Sequence, residues 1–270
     1  MRLGVDSLAA RDSISFAPPE QGAANAFRPG LPYSLPIPMP PRKPPAQGLV
    51  PIILAAGPPR SLPFPKALAP FGEKTALELA VESCRVTRGL APPIVVLGCH
   101  ARRILRCWRA HHHSRLLPVR FIQNPRWKQG QLSSLLAGLR RLPRRSPGFV
   151  IYPVDYPLVS SRLLARLLRA FRRRARRHHI VAPARGRRTG HPLLVSRQVS
   201  LEFFQAARSG GTARDVIYRT TRPDRVLRVR VRDAAIFRDF DSPVSYRLCV
   251  PLWERHSSVA QSSRKNRPRK

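Results

Sequence analysis

Short apolar runs separated by stretches of helical periodicity constrain this chain more than any other feature. Runs of this kind predict buried strands at 50–54, 94–97, 119–122, 149–154, 179–182 and 192–195. Continuously apolar strands that alternate with helices belong to a mostly parallel sheet covered on both faces. The expected fold class is therefore α/β, a three-layer Rossmann-like arrangement with a mostly parallel mixed sheet between helices. Thr75 and Glu78 form a capping-box pattern ahead of Leu79, Ala80 and Val81, which marks one helix start, and Gly89 marks its end. Further helices fit 101–110, 131–141, 160–177 and 197–208, with Ser160 or Ser161 capping the fourth. The imperfect alternation at 225–232 reads as a partly exposed strand.

Composition changes at both ends of this pattern. Residues 1–47 are rich in Pro, Ala and Ser, the composition of a disordered leader without chemistry of its own. Residues 48–253 read as one domain, and 254–270 as a polar, basic, disordered tail. The chain carries 50 Lys and Arg against 14 Asp and Glu, a net charge of +36, so its field attracts anions in general. The arginines are scattered, as at Arg162, Arg166, Arg169 and Arg172 to Arg174, in the manner of a general compositional bias. A nucleic-acid partner stays open but is not favoured, since neither an aromatic-interleaved groove nor a zinc module accompanies the charge.

Cys84, Cys99, Cys107 and Cys249 show no disulfide framework, and Cys99, His100 and Cys107 with His111 to His113 match no zinc spacing. Neither a membrane span nor a secretory signal is apparent, which makes a cytoplasmic location the expectation.

In open sheets of this class, ligands gather at the carboxyl ends of the strands. The first apolar run passes through Leu54, Ala55, Ala56 and Gly57 into a proline-rich turn that reaches Lys66. Small residues leave main-chain N–H groups open to an anion, and the lysine adds a point charge, so the turn suits phosphate. It is not a Walker loop, because Gly57 and Lys66 are too far apart. The run ending at Val154 delivers Asp155 to the same edge. Asp239 and Asp241 alternate as they would on one strand face. Carboxylates beside a phosphate site imply Mg2+, although each could instead cap a following helix. Asn124, Gly130, Gln131, Ser133 and Ser134 make a polar loop and helix start able to hold a base or a phosphate, or an ordinary capped helix.

Together these segments resemble the MobA-like NTP transferase family, most of all its molybdenum cofactor cytidylyltransferase branch. The resemblance runs from about Leu49 to Leu248 through Ile52 to Gly57 with Pro65-Lys66-Ala67-Leu68, Asn124 to Leu139, Val154 to Val159, Gly190-His191-Pro192 and Asp239 to Pro243. It implies the nucleotidyltransferase fold of the nucleotide-diphospho-sugar transferase type. It also implies Mg2+-dependent transfer of a nucleoside monophosphate, CMP from CTP by preference, to a phosphorylated small-molecule acceptor such as molybdopterin, with pyrophosphate released. Lys66 and Asp155 then take the catalytic roles. Leu54, Ala55, Ala56, Gly57 and Lys66 hold the nucleotide with Asn124, Gly130, Gln131, Ser133 and Ser134. Asp155, Asp239 and Asp241 hold the metal, and His191 shapes the acceptor side. Contact with a molybdoenzyme for cofactor handover is part of the same implication. The first loop departs from the family pattern: Pro59, Ser61 and Pro63 replace its serine, arginine and glycine, Arg60 stands one position early, and Tyr156 replaces a glutamine. A degenerate member that binds nucleotide without transfer is the alternative.

Overall fold

The computed structural model describes residues 48–111, 118–218, 223–232 and 234–265; the leader, His112 and His113, and the last residues of the tail lie outside them. The first strand, β1 (Val50–Ala55), is buried along its whole length. It pairs in parallel with β4 (Ile94–Leu97) on one side and β6 (Gly148–Pro153) on the other, and β5 (Arg120–Gln123) extends the sheet beyond β4. On the far side of β6 comes β9 (Leu193–Ser196), antiparallel, then β7 (Ile180–Arg185) and β10 (Val226–Arg230). The order is β10-β7-β9-β6-β1-β4-β5, with the short β8 (Arg188–Thr189) folded back on β7. The antiparallel β9, with the short β8, makes the sheet mixed, as the sequence led us to expect of the class.

The helices divide between the faces. One layer holds α1 (Ala76–Val86), α2 (Ala101–His111) and α4 (Ser161–Arg173), whose Leu77, Ile104 and Leu167 meet Ile53, Val95 and Tyr152 in one core cluster. The opposite layer holds α3 (Gln131–Leu139) and α5 (Ser200–Arg208), whose Leu135 and Phe203 pack with Ile52, Val96 and Phe149. The capping box of Thr75 and Glu78 is formed as expected. Leu163 N–H donates to Ser160 Oγ at 3.2 Å, so Ser160 caps α4.

Three elements depart from the sequence expectation. A small hairpin, β2 (Pro70–Phe71) with β3 (Lys74–Thr75), precedes α1, and a short helix, α6 (Ala213–Ile217), follows α5. The segment holding Asp239 and Asp241 is not a strand: it is irregular chain leading into α7 (Pro243–Lys265). That helix also continues past Glu254, where the sequence suggested an unstructured tail. Its first turns are anchored by Tyr246 and Trp253 against Phe71, with ring centroids 5.5 and 6.2 Å away, and helix already nucleated extends at low cost through polar sequence.

Candidate active site

The turn after β1, the end of β6 and the segment before α7 converge through one side chain. Lys66 opens a 3-10 turn, Lys66–Leu68, and its Nζ donates to Asp155 Oδ2 at 2.8 Å and to Asp241 Oδ1. Both Lys66 and Asp155 are mostly sequestered, with 16% and 18% of the side chain exposed, whereas Asp241 keeps 45%. Arg60 approaches Asp241 Oδ2 at 3.5 Å, and Ser61 Oγ donates to the Asp241 carbonyl at 3.3 Å. Arg60 adopts φ 55, a left-handed conformation that few non-glycine residues take. This conformation redirects its side chain toward Asp241, so the register change in the loop still delivers a guanidinium to the site.

Burial disfavours charge on both members of the central pair, and they respond in opposite senses. Lys66 overcomes burial because Asp155 and Asp241 both attract it, and its ammonium is held above the usual lysine range. Asp155 is pushed above the usual carboxylate range by burial: it shares its one ammonium with Asp241 and feels the like charges of Asp241 and Asp239. Asp241, more exposed, loses less to burial and is drawn below that range by Lys66 and Arg60.

Asp155 Oδ1 is buried without a hydrogen-bond partner among the described residues. An orphaned carboxylate oxygen beside a second carboxylate suits a hard divalent cation, and Mg2+ takes one or two carboxylates with substrate phosphates completing its shell. Among the described residues no three His, Cys, Asp or Glu side chains are grouped tightly enough to be a metal centre as they stand, although Asp239 and Asp241 both lie near enough to Asp155 to raise it. Phe240 is fully buried between the two partly exposed aspartates, in irregular chain rather than a strand.

The expected nucleotide segment lies on the other side of β1. Cys99 N–H donates to the Ala56 carbonyl at 3.0 Å, and Asn124 N–H to the Leu97 carbonyl at 2.7 Å, which ties the loops after β1, β4 and β5 together. Gly98 is required at this junction: a Cβ there would sit 2.4 Å from the Ala56 carbonyl oxygen and 2.7 Å from Trp127 Cβ. Asn124 Nδ2 donates to Ser133 Oγ at 2.9 Å and to Ser134 Oγ at 3.1 Å, while its Oδ1 accepts from Arg126 N–H. The hydroxyls therefore order the loop around the start of α3, with Gly130 at φ 88 making the turn and Gln131 opening the helix. A Cβ at Gly57 would meet nothing within 4 Å, so that part of the turn faces open space.

Sequence reasoning missed Thr189 and Tyr218 and gave Tyr156 only as a departure. Tyr156 and His191 rings lie 5.0 Å apart, next to Asp155, and Tyr218 and Thr189 hydroxyls are 2.8 Å apart. Scattered hydroxyl and ring residues on separate elements leave no spacing signal in a sequence.

A mixed, mostly parallel sheet with a small-residue turn, a lysine and carboxylates at its carboxyl edge defines a Rossmann-like nucleotidyltransferase. The comparison of sequences specifies it further: the MobA-like NTP transferase domain matches residues 51–226, and the chain belongs to that family. A 105-residue stretch, 39% of the chain, is 37% identical to the bifunctional IPC transferase and DIPP synthase of Rubrobacter xylanophilus, and spans only 22% of that relative's length. The Rv0371c protein of Mycobacterium tuberculosis, solved in complex with manganese, aligns over 76% of this chain and 99% of its own at 25% identity and TM-score 0.58. The 4-diphosphocytidyl-2C-methyl-D-erythritol synthase of Anaerococcus prevotii aligns over 77% and 96% at 13% identity and TM-score 0.63, a likeness of fold.

Proposed function

We propose that this protein transfers a nucleoside monophosphate, CMP from CTP by preference, to a phosphorylated small-molecule acceptor in a Mg2+-dependent reaction. The observation that carries the reading is the meeting of Lys66, from the phosphate-type turn, with Asp155 and Asp241 at the carboxyl edge of the sheet. An oxygen of the acceptor's phosphate attacks the α-phosphorus of the nucleotide, the bond from that phosphorus to the β-phosphate bridge breaks, and pyrophosphate leaves. The attacking phosphate is anionic at neutral pH, so no general base is needed, and the work is positioning and charge neutralisation. Asp155 and Asp241 would hold Mg2+, which when bound would supply positive charge against the phosphates. Lys66 neutralises triphosphate charge, Arg60 adds a second cation at the mouth, and Ala55 to Gly57 present the main chain to the nucleotide. Asn124, Gly130, Gln131, Ser133 and Ser134 bound the nucleoside end. Asp239, the remaining member of the expected metal set, lies near enough to act on Asp155 and would add negative charge beside the cation. Molybdopterin is one acceptor that the family resemblance implies.

A screen of CTP, GTP, ATP and UTP with Mg2+, scored for pyrophosphate release, tests the reading. Asp155→Ala is expected to lower release by at least about 100-fold while the circular dichroism spectrum is kept; unchanged release in this variant rejects the assignment. Pro58, Pro59 and Pro63 offer no N–H to a phosphate, and they favour a second reading in which nucleotide binds without transfer. Tight Mg2+-dependent CTP binding with no pyrophosphate release selects that second reading.

A further inference from the structure

Lys66 bridges the two carboxylates that the proposed reaction gives to a metal. Its Nζ donates to Asp155 Oδ2 at 2.8 Å and to Asp241 Oδ1, while Arg60 Nη1 faces Asp241 Oδ2 at 3.5 Å. Three of the four oxygens of this pair therefore lie against a cationic side chain. The fourth, Asp155 Oδ1, is buried with no hydrogen-bond partner among the described residues. A divalent cation shared by Asp155 and Asp241 must draw on oxygens that Lys66 already holds, and Mg2+ tolerates little departure from octahedral geometry.

Charge opposes double occupancy as strongly as geometry does. Lys66 and Asp155 are largely withdrawn from water, so neighbouring charges act on one another with little screening. An ammonium and a divalent cation on the same carboxylates repel each other. The backbone of the lysine turn is fixed: Ala67 is buried, Leu68 N–H donates to the Pro65 carbonyl at 2.8 Å, and Ala69 N–H donates to the Lys66 carbonyl at 3.1 Å. What is left to move is the four-carbon stem, which swings the ammonium without disturbing the turn. The bridge also has a use in the empty site. Asp241 and Asp239 already raise Asp155 by like charge, and without Lys66 nothing would offset that repulsion at Asp155.

We infer that Lys66 is a resident counter-ion of the metal site: in the nucleotide-free protein it closes the Asp155–Asp241 pair to divalent cations, and nucleotide opens the pair by drawing the ammonium away. The closing needs only the contacts of Lys66, whereas the opening rests on the nucleotidyl-transfer reading, in which Lys66 turns to the triphosphate. A triphosphate offers the ammonium more negative charge than two carboxylates, one of which is also shared with Arg60. Metal and nucleotide then bind with positive coupling, each raising the affinity of the other by the same factor. The device keeps the site from filling with metal ahead of its substrate.

Electron paramagnetic resonance of Mn2+ added to the full chain without nucleotide tests the closing. Lys66→Met keeps the length of the side chain and removes its charge, and it is expected to bind Mn2+ at least about tenfold more tightly than the parent. Lys74→Met removes the same charge from an exposed pair with Glu82 and should leave Mn2+ affinity unchanged. Asp155→Asn added to Lys66→Met should abolish the gain. A second measurement needs no variant: acetic anhydride labelling, mapped by mass spectrometry, should modify Lys66 slowly in the metal-free parent and faster at saturating Mn2+, with Lys74 as the unchanged reference. Equal or weaker Mn2+ binding by Lys66→Met, an equal gain in Lys74→Met, a gain that survives Asp155→Asn, or Lys66 labelling indifferent to Mn2+ overturns the inference. A non-hydrolysable CTP analogue tests the opening: it should tighten Mn2+ binding severalfold more in the parent than in Lys66→Met, and an equal effect in both overturns that half. Failure of nucleotidyl transfer shows separately, as absent pyrophosphate release, and leaves the nucleotide-free Mn2+ result standing.

Discussion

At the scale of single residues, charge at the site is governed by how many partners each group has. Lys66 has two carboxylates and stays an ammonium despite burial; Asp155 has one shared ammonium and is raised. Among the described residues no charged group offsets the burial of His191, and burial carries it from 6.5 down to about 4. That shift has a consequence for stability. Between these two values the unfolded chain binds a proton on this residue and the folded chain does not, so stability falls as pH falls through the window. A shift of this size corresponds to about 3 kcal/mol when fully developed. Urea unfolding at pH 7 and at pH 4.5 should show a larger loss in the parent protein than in His191→Asn, and equal losses would show that this imidazole is not buried as described.

At the scale of elements, close approach rather than propensity decides what each position tolerates. Gly138 lies in the last turn of α3, where alanine would ordinarily help by up to about 1 kcal/mol. Here a Cβ would fall 2.5 Å from Ile52 Cγ2, on a fully buried β-branched side chain in the central strand that cannot swing away. Overpacking of this kind costs about 1–3 kcal/mol, so the clash outweighs the propensity. Gly138→Ala is expected to lower the urea midpoint, and a raised midpoint would place α3 farther from β1 than this structure has it. The same logic explains α7: polar composition alone gave no helix signal beyond Glu254, but Trp253 over Gly72 and Tyr246 against Phe71 fasten the preceding turns.

At the scale of the whole molecule, the charge of +36 acts on stability as well as on partners. The outward positions of α2 and α4 carry Arg102, Arg103, Arg106, Arg109, Arg162, Arg166, Arg169 and Arg173, and neither helix contains a carboxylate. Like charges at this density oppose compaction, and salt screens them over about 8 Å at physiological strength. Raising NaCl from low to physiological concentration should therefore raise the urea midpoint; a fall would mean that attractive pairs dominate. No helix among the described residues is long and apolar enough to cross a membrane. Local pattern determined much of the rest. Runs such as Ile94–Leu97 are too apolar to face water on either side, which fixes buried strands and, with the helices between them, the fold class. The small-residue turn after β1 and Asp155 after β6 were legible too, because a strand end followed by a helix is where this fold presents ligands. What tertiary structure alone decided is who meets whom. Lys66 and Asp241 are 175 residues apart, and Thr189 and Tyr218 come from separate elements. Asp239 and Asp241 reach Asp155 from irregular chain rather than from a strand, with Phe240 buried between them. Periodicity encodes which face of an element is apolar, whereas convergence of polar side chains depends on the paths of loops, and no local pattern records those.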